Sequence, residues 1–78
     1  MLIRVKLQKS GMGIEEGTLA RWLKQEGSVV TQGEVIAEVE TAKAVQEIQA
    51  PVGGKLVQIL VKEQQVVPVN TDLAVIEV

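Results

Sequence analysis

The sequence contains neither cysteine nor histidine, and Trp22 is its single aromatic residue. The absence of cysteine excludes a disulfide framework and a cysteine-based metal site. The absence of histidine removes the commonest general base, the commonest metal ligand and every Ser-His or Cys-His nucleophile. One aromatic side chain cannot form the stacking platform on which proteins bind single-stranded nucleic acid. The composition therefore predicts a protein that is not an enzyme and holds no metal.

Charges of the two signs nearly balance, and the chain has no long hydrophobic run. Eight basic and ten acidic residues give a formal net charge of −2, which suits neither DNA nor RNA as a partner. No apolar stretch approaches the ~20 residues that span a bilayer, and the N-terminal residues alternate instead of forming a signal-peptide core. We therefore expect a soluble protein without nucleic-acid or membrane partners. The expected compartment is the cytoplasm of a bacterium or archaeon, or the mitochondrial matrix of a eukaryote.

Short β-strands are predicted throughout the chain, which we expect to be one domain over residues 1–78. Val and Ile are abundant, and β-branched residues favour strands. Residues 3–7 alternate apolar and basic side chains, and Val35, Ala37 and Val39 alternate with Glu38 and Glu40. Residues 73–78 form another β-rich run. Glycine, proline and asparagine between these runs predict turns. Residues 15–26 also allow a helix, because Leu19, Trp22 and Leu23 have helical spacing, but the repeat described next favours a strand.

An internal repeat with an offset of 37 residues covers the segment from Gly17 to Thr41. Without a gap, eight of the 25 aligned pairs are identical, among them Gly17 with Gly54. Two copies of a four-stranded unit predict an all-β fold, a flattened β-barrel or sandwich of two four-stranded antiparallel sheets with internal pseudo-two-fold symmetry. The alternative is a chance alignment of valine-rich strands.

The same alignment predicts the surroundings of three other side chains. Trp22 falls on Ile59, so we expect the indole ring to pack in the core and not to bind a partner. Glu26 falls on Glu63. Both glutamates lie beside predicted turns, where we expect them to be solvated.

The segment between the two copies is predicted to be a tight hairpin with Lys43 at its tip. One strand ends near Glu40 and the next begins near Ala44, which leaves Ala42 and Lys43 as the connection. Neither is Gly, Asn or Asp, so a type I turn is favoured over a type I′ turn. An exposed lysine most often serves solubility alone, and nearby glutamates favour its charged form, so it is a poor nucleophile. A protruding amine between small residues can nevertheless enter the pocket of a modifying enzyme.

Five motifs in the chain resemble those of lipoyl domains, the swinging-arm carriers in the dihydrolipoamide acyltransferases of 2-oxoacid dehydrogenase complexes. The family pattern around the modified lysine is Glu-Thr-Asp-Lys-Ala, and residues 40–44 read Glu-Thr-Ala-Lys-Ala. The other four motifs occur in the family's order at residues 11–18, 22–27, 32–41 and 50–54. The resemblance implies the fold called a barrel-sandwich hybrid. The departure is Ala42, where the family commonly has Asp.

The resemblance also implies a cofactor, a site and partners. Lipoate would be joined covalently to Lys43 by a lipoate ligase or lipoyl transferase. Recognition residues would flank it at Glu40, Thr41, Ala42 and Ala44. A partner loop after the first strand would include Gly11, Met12, Gly13, Glu15 and Glu16. The arm would carry acyl groups and reducing equivalents between a thiamine-diphosphate-dependent 2-oxoacid dehydrogenase, the acyltransferase core and a dihydrolipoamide dehydrogenase. In such a carrier the protein positions the cofactor, and the cofactor supplies the chemistry.

Other interpretations of the sequence stay open. A biotinyl carrier domain of a biotin-dependent carboxylase or decarboxylase would share the fold, the repeat and the hairpin lysine. Such domains typically place methionines on both sides of the lysine, where this chain has Ala42 and Ala44. A glycine-cleavage carrier would be longer, and an unmodified β-domain used for assembly would not need the hairpin motif. We expect the N-terminal carrier domain of a larger acyltransferase, with a free-standing carrier as the alternative. Pyruvate, branched-chain, 2-oxoglutarate and acetoin complexes all use such domains.

Overall fold

The computed structural model describes residues 1–8 and 15–78, and these residues form eight β-strands and no helix. The strands are β1 (Leu2–Lys6), β2 (Glu16–Trp22), β3 (Val29–Val30), β4 (Val35–Glu40), β5 (Val45–Gln49), β6 (Gly54–Ile59), β7 (Val66–Pro68) and β8 (Asp72–Glu77). The strand over Glu16–Trp22 confirms the strand interpretation of that segment against the helical one. Because the described residues contain no helix, none of them forms a helix that could cross a membrane.

The strands form two four-stranded antiparallel sheets. One sheet has the order β1-β8-β6-β3 and the other has the order β5-β4-β2-β7. The repeat relates β2, β3 and β4 to β6, β7 and β8, so the short strands β3 and β7 each pair in the sheet built mainly by the other copy. This exchange means that neither copy completes a sheet alone. The predicted all-β flattened sandwich is confirmed.

Apolar side chains between the two sheets form one core. The fully buried members include Leu7, Leu19, Ile36, Val39, Leu56, Leu73 and Ile76. Every described residue of this core is apolar, and burial of its apolar surface stabilises the fold. Trp22 packs against this core as predicted, and its indole N–H donates a hydrogen bond to the Val61 carbonyl at 2.9 Å.

The pseudo-two-fold symmetry extends to individual hydrogen bonds between the copies. Leu19 N–H donates to the Gln65 carbonyl at 2.9 Å, and the equivalent Leu56 N–H donates to the Ser28 carbonyl at 2.8 Å. Because the same bond occurs at equivalent positions, the two halves of the chain fold onto each other with one geometry. The aligned pairs in the sequence therefore reflect structural equivalence and not chance.

Glu26 and Glu63 are exposed, as expected, but they are more than solvated turn residues. Glu63 Oε2 accepts a hydrogen bond from Trp22 N–H at 3.0 Å, and Glu26 Oε2 accepts one from Ile59 N–H at 2.7 Å. Trp22 and Ile59 are themselves equivalent in the repeat. Each copy thus supplies a carboxylate that satisfies a backbone donor at the end of a strand of the other copy.

Candidate site of covalent modification

The connection between β4 and β5 is the tight hairpin that the sequence predicts. Glu40 and Val45 are the last paired residues of the two strands. Beyond them, Thr41 N–H donates a hydrogen bond to the Ala44 carbonyl at 2.9 Å. Ala42 and Lys43 therefore form the two-residue apex. Among the described residues positive φ occurs outside glycine only at Gln64 and Asn70, which excludes the type I′ turn that the sequence also disfavours.

The side chain of Thr41 closes this turn. Thr41 Oγ1 donates a hydrogen bond to the Ala44 carbonyl at 2.8 Å, and it accepts one from Ala44 N–H at 3.3 Å. The hydroxyl therefore contacts both polar groups of the Ala44 backbone. A two-residue turn without glycine or asparagine gains from a side chain in this role, because its own backbone geometry is not the one that hairpins prefer. The sequence motif contained Thr41, but nothing in its spacing indicated this contact.

The apex itself is open to solvent. Ala42, Lys43 and Ala44 are all exposed, and the side chains on both sides of the lysine are methyl groups. The lysine amine is therefore accessible from outside the domain, and small neighbours leave room for the walls of an enzyme pocket around it. Two open clefts lie elsewhere on the surface, between β1 and β5 and beside Trp22, and Lys43 lines neither of them.

Gly17 lies directly beneath the base of the hairpin. A Cβ atom added at Gly17 would lie 2.5 Å from Val39 Cγ1, 3.1 Å from the Glu40 carbonyl oxygen and 3.5 Å from Thr41 Cγ2. Only a residue without a side chain allows β2 to approach β4 this closely. The absence of a Cβ atom at Gly17 thus lets Glu40 and Thr41, which lead into the apex, pack closely against β2. The repeat aligned Gly17 with Gly54, but the sequence did not indicate that either glycine faces a backbone carbonyl.

Acidic side chains surround the hairpin on the outer face of its sheet. Glu40 is exposed and stands between Val45 and Thr18 in the pairing of the three strands. Glu38, two pairs further from the apex, is neutralised by Arg21 through a contact of 2.7 Å between Arg21 Nε and Glu38 Oε1. The flanking residues 40–44 that the motif selected are thus brought together at one end of the sheet.

The predicted partner loop is described only in part. Gly11, Met12 and Gly13 lie outside the described residues. Glu15 and Glu16 are exposed, and Glu16 pairs with Pro68 at the start of β2. Because Thr18 opposes Glu40, this start of β2 lies at the same end of the sheet as the lysine hairpin. The described part of the loop therefore lies beside the candidate site.

No metal centre accompanies this arrangement in the described part of the chain. Residues 1–8 and 15–78 contain no group of three or more acidic side chains placed to hold a metal ion. What the hairpin offers chemically is a single accessible primary amine on a rigid sheet. Such an amine can form an amide with a carboxylic acid that another enzyme has activated.

Comparisons with known proteins agree with this geometry. The family described as Biotin-requiring enzyme, which covers biotinyl and lipoyl carriers, matches residues 4–76. A curated relative in Rickettsia conorii, the dihydrolipoyllysine-residue acetyltransferase component of pyruvate dehydrogenase complex, is 46% identical over 77 residues. The match covers 97% of this chain but 19% of that relative. The chain thus spans about a fifth of the curated relative.

Solved structures with the same fold include a lipoyl domain and a carboxylase. The lipoyl domain of the 2-oxoglutarate dehydrogenase complex from Azotobacter vinelandii matches with a TM-score of 0.73 and 28% identity, and the match covers 94% of this chain and 95% of that one. The urea carboxylase of Kluyveromyces lactis matches with a TM-score of 0.84 over 99% of this chain and 6% of its own, but at 21% identity. That second match shows the fold alone. With the family match and the acyltransferase relative, these findings place the chain in the family of biotinyl and lipoyl carriers, among the lipoyl domains of dihydrolipoamide acyltransferases.

Proposed function

We propose that residues 1–78 form one lipoyl carrier domain in which lipoate is joined by an amide to Lys43. The observation that supports this best is the position of Lys43 at the exposed apex of the turn between the two copies of the repeat. Glu40, Thr41 and Ala44 flank it as in the lipoyl motif, and Ala42 stands where that motif commonly has Asp. We propose these four as the residues that the lipoylating enzyme recognises.

The residues at the apex fit lipoate. Lys43 Nζ, as the neutral amine, forms an amide bond with the carboxyl carbon of activated lipoate. The bond between that carbon and its activating group breaks, the activating group leaves with the bonding electrons, and the nitrogen releases a proton. A lipoate ligase or lipoyl transferase supplies the activated lipoate. The loss of the ammonium charge takes the formal net charge of the chain from −2 to −3. Bound lipoate supplies a dithiolane that carries acyl groups and reducing equivalents. The domain contributes the rigid sheet that presents this group, and tethering raises local concentrations to the order of millimolar.

The proposed partners follow from the complexes in which the relatives are found. They are a thiamine-diphosphate-dependent 2-oxoacid or acetoin dehydrogenase, the acyltransferase core and a dihydrolipoamide dehydrogenase. The exposed carboxylates Glu15, Glu16 and Glu40 stand near the arm. With Gly11, Met12 and Gly13, the first two would form the surface that the dehydrogenase approaches, since charge complementarity governs encounter and partner choice. We propose the bacterial or archaeal cytoplasm, or the mitochondrial matrix, as the compartment.

The test is the intact mass of the chain after expression with lipoate and a lipoate ligase, followed by peptide mapping. We expect one lipoyl group, located on Lys43, and none on Lys43→Gln. The variant should fold as the parent does, because an exposed turn residue contributes within about 0.5 kcal/mol to stability. Lys62→Gln is the matched control, since Lys62 is also exposed and lies in the connection between β6 and β7. Lipoate on any other lysine, or on Lys43→Gln, would contradict the proposal.

A biotinyl carrier is the second candidate, because the carboxylase match has the same fold over nearly the whole chain. The mass measurement separates the two when the chain is offered biotin and a biotin ligase in a parallel reaction. A biotinyl increment without a lipoyl increment would favour the carboxylase type. The methyl side chains of Ala42 and Ala44 in place of methionines support the lipoyl type.

A further inference from the structure

We infer that Thr41 is a positioning residue whose hydroxyl sets the conformation of the apex that the lipoylating enzyme recognises. The inference rests on the proposed lipoylation of Lys43 and adds to it a specific atom. Three hydrogen bonds join Thr41 to Ala44, and two of them involve Thr41 Oγ1. The hydroxyl oxygen accepts the hydrogen bond from Ala44 N–H. In a hairpin closed by backbone groups alone, the carbonyl oxygen of Thr41 would be the acceptor of that bond. Because the side-chain oxygen replaces the main-chain oxygen, the turn that carries Lys43 has its own geometry.

The methyl group of Thr41 also has a defined neighbour, which is Gly17 on strand β2. The methyl carbon Cγ2 of Thr41 lies 3.5 Å from the position that a Cβ atom of Gly17 would occupy. The methyl group therefore faces the sheet, and the hydroxyl faces the turn. Since both branches of this β-branched side chain have a defined neighbour, the side chain is restricted to one rotamer. A restricted rotamer lets the hydroxyl hold Ala44 without the entropy cost of ordering a flexible side chain.

The pseudo-two-fold symmetry supplies an internal comparison for this arrangement. The residue equivalent to Thr41 is Val78, and it packs over Gly54 as Thr41 packs over Gly17, with Val78 Cγ1 at 3.0 Å from an added Cβ. Val78 N–H donates to the Met1 carbonyl at 2.9 Å, which repeats the bond from Thr41 to Ala44. The Met1 amino group, in contrast, donates to the Val78 backbone carbonyl at 3.1 Å.

The comparison separates the two roles of Thr41. Valine satisfies the contact with the glycine, because the equivalent position has valine and the same packing. The pair of Val78 and Met1 then closes through one backbone hydrogen bond and one hydrogen bond from the N-terminal ammonium of Met1 to the Val78 carbonyl. With threonine at position 41, the side-chain hydroxyl accepts the hydrogen bond from Ala44 N–H in place of the Thr41 carbonyl. Replacing Thr41 by valine should therefore keep the packing of residue 41 over Gly17. Backbone groups alone would then close the turn between residues 41 and 44, and Ala42 and Lys43 would move.

The test compares Thr41→Val and Thr41→Ser as substrates of a lipoate ligase. We expect Thr41→Val to raise the KM for the unmodified domain about 3- to 10-fold, because the displaced apex should lose a contact with the ligase worth about one hydrogen bond. The kcat should stay within about twofold, because the amine and its chemistry are unchanged. Thr41→Ser retains the hydroxyl and should restore the KM to within about twofold of the parent value. A ¹⁵N–¹H spectrum of Thr41→Val should show changes concentrated at residues 41–45.

Thr31→Val is the matched control, because Thr31 is exposed in another turn, and it should leave the KM unchanged. An unaltered KM for Thr41→Val would overturn the inference, even if that variant melts at a lower temperature. A KM for Thr41→Ser as high as that of Thr41→Val would also overturn it, since packing of the methyl group would then be decisive. If the parent chain takes no lipoate, the proposed function fails and this inference fails with it. If the parent is modified and only the Thr41 variants behave otherwise than expected, the inference alone fails.

Discussion

Substitution of Gly17 by alanine should destabilise the domain and displace the lysine hairpin. The new Cβ atom would lie 2.5 Å from Val39 Cγ1 and 3.1 Å from the Glu40 carbonyl oxygen. Val39 is fully buried and its β-branched side chain is stiff about χ1, so it cannot rotate away from the contact. The strain must therefore move the β4 backbone at Glu40, which leads directly into Thr41 and the apex.

The expected loss of stability follows from two opposing terms. Overpacking of a close contact costs about 1–3 kcal/mol. Alanine also restricts the unfolded chain relative to glycine, which stabilises the folded state by about 0.4–1 kcal/mol. The net loss is about 1–2 kcal/mol, which corresponds to a fall in Tm of roughly 5–15 °C for a domain of this size. The site is in a strand without positive φ, so backbone strain at residue 17 adds nothing.

Gly54→Ala is the matched control, because Gly54 is the repeat partner of Gly17. Its added Cβ would meet the Glu77 carbonyl oxygen and lie 2.9 Å from Ile76 Cγ2, beside the chain termini instead of beside the hairpin. Both variants should melt earlier than the parent. Under conditions where all three proteins are folded, lipoylation should slow for Gly17→Ala and stay near the parent rate for Gly54→Ala. Equal lipoylation of the two variants, or an unchanged Tm for Gly17→Ala, would refute the reasoning.

Two further predictions concern carboxylates outside the hairpin. Glu63→Ala should lower the free energy of unfolding by about 1 kcal/mol, because Trp22 N–H loses its acceptor. Glu63→Gln keeps an acceptor oxygen and should melt close to the parent. Equal melting temperatures of the two variants would contradict the role of that hydrogen bond. A hydrogen bond from the Lys24 ammonium and a second from Thr31 N–H lower the pKa of Glu34. The Glu34 carboxylate therefore contributes stability above its unfolded pKa of about 4.3, and that contribution is lost as the pH falls through the lower folded pKa. The Tm difference between the parent and Glu34→Gln should shrink between pH 7 and pH 3, and a constant difference in thermal melts would count against the ion pair with Lys24.

The repeat explains why so much of the fold could be predicted from the sequence. An ungapped offset of 37 residues forces the segment at Glu16–Trp22 to adopt the structure of the segment at Gly54–Ile59. The second segment has no helical period, so the helical spacing of Leu19, Trp22 and Leu23 could be rejected. The position of Lys43 followed in the same way, because the end of one copy and the start of the next strand leave only a short connection between them.

The contacts that shape the site could not be predicted, because each depends on register between strands distant in sequence. Gly17 and Glu40 are close only because β2 pairs with β4 one residue away, at Thr18. The hydroxyl of Thr41 could equally have faced solvent in a turn of different geometry. The sequence predicts a solvated Glu63, because a glutamate beside a turn is usually exposed. Its hydrogen bond from Trp22 N–H joins residues 41 positions apart, so no local sequence pattern indicates it.

The pseudo-two-fold symmetry also explains why a lysine can occupy the apex at little cost to the fold. The backbone repeats even in its unusual conformations, since the positive φ of 93° at Gly27 and 86° at Gly33 recurs as 70° at Gln64 and 68° at Asn70. Core residues must therefore satisfy the same geometry in both copies. The turn from Thr41 to Ala44 corresponds to the contact of Val78 with Met1. Ala42 and Lys43 are exposed at this apex, so the packing constraints that the symmetry imposes on the sheets do not apply to them. Ala42 and Lys43 can consequently vary without a change in the core, while Gly17 and the methyl group of Thr41 retain the shared geometry beneath them.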